Sequence, residues 1–406
     1  MRSLRLTRRG TGFLVVAGVA FVAAPAASLP VLQRVTGLMT GLLVLAVAFV
    51  LATQPRTHVR RVVSPPSLRP GTPSRVTVVL RNLGRLPSAS ARWRDALPSA
   101  VVGDAEGRLP GIGGGDEVEV EHVVHGVRRG RHAIGPLLLE VEDPFGLVVR
   151  RRTVGEPSEV TVLPRVVDLH DGGPPVPERE GAVRPDPRPA GVGPDDVVAR
   201  TYQPGDALKR VHWKATAHRG ELMVRQEEQE SDSHVTVVLD TDAFSLGTAR
   251  DGHGRWEVST DLEWLVCAAA SLTNHLAHRG HDLTVTALDG FERRLGEQGD
   301  QVEDVLVDLA VLEPQVAPEL VDPTRGGVGP GTSVVLLLGS IEPDRARDWV
   351  GSLEDADVVV LAARSSRPEA LTVLDAAGWS VRTYGSGDGV ADVWGGLPSG
   401  GRRAAT

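Results

Sequence analysis

The chain has 406 residues, a formal net charge of −8 and a hydrophobic fraction of 41%. That length exceeds one ordinary core, so two or three domains are expected. The mildly acidic balance excludes nucleic acid as the main partner, because phosphate binding needs a basic face. The single cysteine, Cys267, excludes a disulfide framework.

Residues 1–56 read as a transmembrane helical hairpin. Thr11–Leu29 and Val35–Ala52 each approach the roughly 20 apolar residues that cross a bilayer. Only PVLQR separates them, as the connecting turn. Arg2, Arg5, Arg8 and Arg9 precede the first span, Arg56, Arg60 and Arg61 follow the second, and Arg34 alone lies between. The positive-inside rule then places both ends in the cytoplasm, which predicts a plasma-membrane protein with two spans and cytoplasmic soluble domains. A secretory signal peptide is the rival reading, since the chain starts basic and carries Ala-Pro-Ala after an apolar run. The second apolar span argues against it.

Residues 57–168 read as an antiparallel β-sandwich. SRVTVVLRNLG and DEVEVEHVVHGV alternate as half-exposed strands, and RRGRHAIGPLLLEVEDPFGLVVRRR reads as strand, turn, strand around Asp143–Gly146. His122, His125 and His132 fit no metal spacing and are expected to face solvent. Residues 169–198 are rich in Pro and Gly and read as a linker.

Residues 199–233 concentrate unusual chemistry. Pro204-Gly205-Asp206 suits a tight turn, with Asp206 free to cap a short helical turn. Lys209, Arg210, His212, Trp213 and Lys214 form a basic, aromatic face, and Arg225, Glu227, Glu228 and Glu230 an opposite one. Arg and Trp are frequent at binding hot spots. The same residues also suit an internal clamp, with Arg200 or Arg210 paired to Asp206 or Glu228 and Trp213 filling a seam.

Residues 234–385 alternate strands and helices. HVTVVLD, HDLTVTALD, TSVVLLLGS, DVVVLAARS and SVRTYGS read as strands. The stretch WEVSTDLEWLVCAAASLTNHLAHRG reads as a helix with Val258, Leu262, Leu265, Val266, Ala269, Leu272 and Leu276 on one face. Gly280 stops it, and Cys267 is a small core residue within it. DQVEDVLVDLAVL, RARDWVGSLEDA and PEALTVLDAAGW read as three further helices. This order predicts an open, doubly wound α/β sheet. Residues 386–406 read as a flexible tail.

Sites in such sheets lie at the carboxyl ends of the strands. The first strand ends in LDTDAFSLG, which places Asp240 and Asp242 where two carboxylates can hold Mg²⁺ or Ca²⁺; capping and solvation are the bland alternative. Ser245 and His253 invite a hydrolase reading, but nothing in the pattern positions them, and no phosphate loop, nucleophile elbow or zinc pair is present.

The segment RTYQPGDALKRVHWKATAHRGELMVRQEEQE resembles the hallmark of a bacterial family catalogued as domain of unknown function 58. Arg200, Tyr202, Pro204, Gly205, Asp206, Arg210, Trp213, Thr216, Ala217, Arg225 and Glu228 match its pattern. Lys209 and His218 stand where the family has arginine, and Val211 where it has isoleucine. RRGRHAIGPLLLEVEDPFGL and VTVLPRV match the upstream pattern. The resemblance implies a C-terminal domain similar to von Willebrand factor type A domains, whose Asp-x-Ser-x-Ser metal site reads here Asp240, Asp242, Phe244, so that only the first position matches. It also implies company: genes for similar proteins sit beside those for MoxR-type AAA+ ATPases and transglutaminase-like membrane proteins. The expectation is a non-enzymatic, membrane-anchored adaptor with no cofactor. A divalent-metal-dependent binding domain and an unrecognised hydrolase are the alternatives.

Overall fold

A computed structural model describes residues 2–27, 30–53, 57–170, 199–201, 213–225, 234–288, 290–296, 301–316, 333–353 and 356–396. It separates into two compact units. The first contains Met1–Val167, Val266–Ser271 and Gln301–Pro314, and the second the remainder. The boundary between the units is therefore not a single cut in the chain.

The first unit opens with strand β1 (Arg2–Leu6), where only a basic flank was expected, then helices α1 (Arg8–Ala27) and α2 (Pro30–Ala52). PVLQR is not a turn but the first helical turn of α2. Pro30 suits that place, because its fixed φ is already helical and its missing N–H would go unpaired there anyway. Among the described residues, α2 is the one helix long and apolar enough to cross a membrane. Val15, Phe21 and Val22 of α1 and Leu38, Val44 and Leu45 of α2 are exposed.

Eleven further strands build most of the rest of this unit. They include β2 (Thr57–Ser64), β3 (Ser67–Leu68), β4 (Ser74–Asn82), β5 (Ala91–Asp95), β6 (Val101–Gly103) and β7 (Glu106–Leu109). After them come β8 (Glu117–Gly126), β9 (Gly130–Ile134), β10 (Leu137–Glu142), β11 (Val148–Val154) and β12 (Ser158–Val162). One sheet runs β2-β4-β8-β6, a second β1-β11-β10-β5-β7 and a third β3-β12-β9, with pairing antiparallel except between β3 and β12. Val76, Val78 and Leu80 of β4 share a core with Leu137, Leu139 and Val141 of β10. Ala46 and Val50 of α2 belong to that same core.

His122 does not face solvent. It shares strand parity with the buried Val124 and Gly126, so β8 turns it inward. There Arg61 grips Asp95 bidentately, through Nε at 2.9 Å and Nη2 at 2.7 Å, and His122 Nε2 lies 3.4 Å from the same carboxylate. Burial alone would raise the Asp95 pKa; the contacts from His122 and Arg61 outweigh it and hold the carboxyl below its ordinary value.

The second unit is built on a sheet of order β17-β16-β15-β18-β19-β20. Before it come β13 (Ala199–Thr201), α3 (Trp213–Arg219) and β14 (Met223–Arg225), with β13 antiparallel to β14. The sheet's strands are β15 (His234–Leu239), β16 (Asp282–Ala287), β17 (Glu292–Leu295), β18 (Ser333–Leu338), β19 (Asp357–Ala363) and β20 (Ser380–Tyr384). All pair in parallel except β17, which the sequence reading missed. The helices are α4 (Thr260–His278), α5 (Val302–Ala310), α6 (Pro343–Ser352), α7 (Pro368–Ala376) and α8 (Val390–Gly395), with α5 and part of α4 grouped in the first unit. β15 and β18 are buried along almost their whole length, as parallel strands covered on both faces must be.

Two local expectations need correction. Val258 is exposed and precedes α4, which starts after Ser259, whose side chain accepts a hydrogen bond from the Leu262 N–H. The segment expected to be a flexible tail holds α8, with Val390 and Trp394 buried.

Candidate functional site

The polypeptide leaves β15 at Asp240, beside the end of β18, where the sheet order reverses and doubly wound folds place their sites. Asp240 is buried. Its Oδ1 accepts from the Asp242 N–H at 3.0 Å, and its Oδ2 from the Ser245 hydroxyl at 2.6 Å and the Gly339 N–H at 3.2 Å. Asp242 Oδ1 accepts from the Phe244 N–H at 3.2 Å, and its Oδ2 from Arg345 Nη1 at 3.0 Å. Arg345 Nη2 stands 3.9 Å from Asp240 Oδ1. Burial pushes the Asp240 pKa up. The Ser245 and Asp242 donors, the Arg345 charge and the Gly339 donor act against it without cancelling it.

The loop after β15 is locked to its surroundings. The Ser340 N–H donates to the Ser245 carbonyl at 2.7 Å, and Gln315 exchanges backbone bonds with Thr241 and Ala243. A Cβ on Gly339 would lie 2.5 Å from the Ser245 carbonyl oxygen, so only glycine lets the end of β18 approach this closely. The outcome is a closed polar knot with Phe244 standing out of it, 81% exposed.

The expected metal pair is thus brought together, but its donor set does not fit a divalent ion. Each of the four carboxylate oxygens already faces a donor or the guanidinium, and Arg345 supplies the positive charge a metal would bring. Among the described residues no group of three or more His, Cys, Asp or Glu gathers as a metal site. Ser245 spends its proton on Asp240 and is buried, so it is not presented as a nucleophile. His253 lies in an exposed turn, its N–H bonded to Asp251.

Arg345 escaped the sequence reading, although it left a signal. It sits in the first turn of α6, where the helix dipole disfavours a cation, so a compensating acid was to be sought.

Of the signature residues, Trp213 begins α3 and is 70% exposed. Thr216 turns inward along α3, and its hydroxyl oxygen accepts from the Met223 N–H at 3.0 Å, tying α3 to β14. Arg200 and Arg225 lie on the paired strands β13 and β14. Tyr202, Pro204, Gly205, Asp206, Arg210 and Glu228 lie outside the described residues, as do residues 171–198 of the linker expected over 169–198.

Residues 198–320 match the family described as protein of unknown function DUF58. No curated protein matches the chain. Among solved structures, the CARDB domain of a Pyrococcus furiosus protein in complex with di-metal ions is 16% identical, with a TM-score of 0.19; 27% of this chain and 89% of that one are covered. Pseudomonas fluorescens alkylpurine DNA glycosylase AlkC, bound to DNA containing an abasic site analog, is 12% identical with a TM-score of 0.18, over 35% of this chain and 42% of that one. A cycloisomaltooligosaccharide glucanotransferase from Paenibacillus sp. is 12% identical with a TM-score of 0.20, over 75% and 52%. Scores this low carry no argument about fold or function.

Proposed function

We propose that this chain, whose residues 198–320 match the DUF58 family, is a non-enzymatic, membrane-anchored adaptor that docks a partner protein through its second unit. The observation that carries the reading is Trp213. A tryptophan 70% exposed at the start of α3, inside the family signature, suits a docking residue better than an internal plug. Phe244, presented from the locked loop after β15, adds a second exposed aromatic on the same unit. The resemblance supplies the partner class, a MoxR-type AAA+ ATPase, with a transglutaminase-like membrane protein as a further companion.

In this reading α1 and α2 form a two-span hairpin in the plasma membrane, with both soluble units in the cytoplasm. The exposed apolar side chains on both helices support it, as do the basic residues at both outer ends. The sheet order β17-β16-β15-β18-β19-β20 is compatible with a von Willebrand factor type A-like unit. Its metal motif is kept only at Asp240, and Arg345 takes the cation's place there.

The test is recovery of the ATPase from native membranes by crosslinking, with the intact chain and with Trp213→Ala/Arg210→Ala. The ATPase is expected with the former and lost with the latter, while the variant's thermal unfolding is unchanged. If the variant unfolds, Trp213 and Arg210 are an internal clamp and the docking assignment fails.

A further inference from the structure

We propose that two rigid loops of the first unit rest on the membrane surface and contact anionic phospholipid headgroups. This rests on the reading of α1 and α2 as a membrane anchor.

Both loops are tied to the same end of the helix pair. The Asp143–Leu147 turn meets the start of α1: the Thr7 hydroxyl donates to the Gly146 carbonyl at 2.5 Å, and the Thr7 N–H to the Leu147 carbonyl at 2.9 Å. Gly10 lies so close that a Cβ there would collide with the Leu147 carbonyl oxygen. The β4–β5 loop meets the end of α2, where the Ala89 N–H donates to the Thr53 carbonyl at 3.2 Å.

Each loop is built by a buried polar side chain and presents apolar tips. The Asp143 carboxylate accepts from the N–H groups of Phe145, Leu147 and Val148, and leaves Phe145 51% exposed. The Asn82 amide donates to the carbonyls of Leu86 and Ile112 and accepts from the Gly84 N–H. Leu83 and Leu86 then stand 61% and 68% exposed. These three large apolar side chains are held out on rigid turns that are tied to the ends of the anchor, where lipid is within reach.

Depth and charge say which partner. From Pro30 to Ala46 the helix rises about 24 Å at 1.5 Å per residue, against a hydrocarbon thickness of about 30 Å. Yet Ala46 already belongs to the core of the first unit. The helix reaches the core of the unit about 6 Å short of a full hydrocarbon span, so the unit abuts the bilayer with no stalk and loops on the helix ends lie at headgroup depth. Arg81 and Arg85 flank Leu83 and Leu86, and Arg5, Arg8 and Arg9 adjoin the Phe145 turn; all five are exposed. Asp116, Glu117 (which faces Arg81 across the β4–β8 pair), Glu142 and the buried, hydrogen-bonded Asp143 are the acids on the adjoining segments, so five arginines stand against four acids. This excess of positive charge suits an anionic leaflet.

The full chain is reconstituted in vesicles containing phosphatidylglycerol, with Cys267→Ser and one new cysteine carrying an environment-sensitive dye. Labels replace Leu38 within α2, Phe145, Leu86, or Val102 on β6, and lipids with shallow or deep spin labels quench them. Quenching at Leu38 by the deep label reports the anchor alone. Shallow quenching at Phe145 and Leu86, absent at Val102 and lost at Leu86 on Arg81→Glu/Arg85→Glu, is the expected result. If Leu38 is quenched but Phe145 and Leu86 behave like Val102, the loops do not touch lipid and the inference falls while the anchor stands. If Leu38 is not quenched, the anchor reading falls and the inference with it. Equal quenching of the loops in purely zwitterionic vesicles would overturn the headgroup charge preference.

Discussion

Asp95 holds its charge inside the first unit because Arg61 and His122 sit on it. Removing one partner from a buried ion pair strands the other, at a cost of about 3–5 kcal/mol. Arg61→Ala is therefore expected to lower the stability of this unit by that much, read from denaturant unfolding of the detergent-solubilised chain. The pH dependence has a definite sign. A carboxyl held below its ordinary value of 3.8 when folded contributes stability above that value and loses it as the pH falls through the folded pKa. Unfolding midpoints should stay level toward mild acid and drop below about pH 4, and the drop attributable to Asp95 should vanish in Asp95→Asn. The sequence shows Asp95 and His122 but not their meeting, since 27 residues separate them and only the parity of β8 brings the ring inside.

The longer elements were legible because their boundary chemistry is local. In α4, Ser259 caps the start, and Gly280, with a φ of 77°, ends it while His281 donates back to the Leu276 carbonyl. Ser259→Ala should cost about 1 kcal/mol, visible as a lowered melting temperature with the helix content retained in circular dichroism; an unchanged midpoint would show the cap to be idle. Short elements lack such marks. The four residues of β17, Glu-Arg-Arg-Leu, show no apolar alternation, because an edge strand can afford charge on both faces. Residues of α8 span less than two helical turns, too few for a period to emerge beside its glycines. PVLQR misled for the opposite reason: its proline signals a break, and it also signals a helix start.

For the whole molecule, the alternation of strands and helices was enough to foresee the parallel sheet, and the apolar runs to foresee the N-terminal helices. The candidate site was only half legible. Asp240 and Asp242 announce themselves at the end of β15, but the group that completes them is 103 residues from Asp242, and no local spacing encodes that pairing. Calorimetry of the full chain with Mg²⁺, Ca²⁺ and Mn²⁺ is expected to give no heat at this crevice; a saturable heat lost in Asp240→Asn would sink the arginine assignment. Arg345→Ala, which leaves two carboxylates facing each other, should destabilise the second unit by about 2 kcal/mol.

A cation that is part of the polypeptide cannot be chelated, exchanged or starved. With Arg345 as that cation, the loop that carries Phe244 is expected to stay set through swings in magnesium or calcium, a surface fixed at folding.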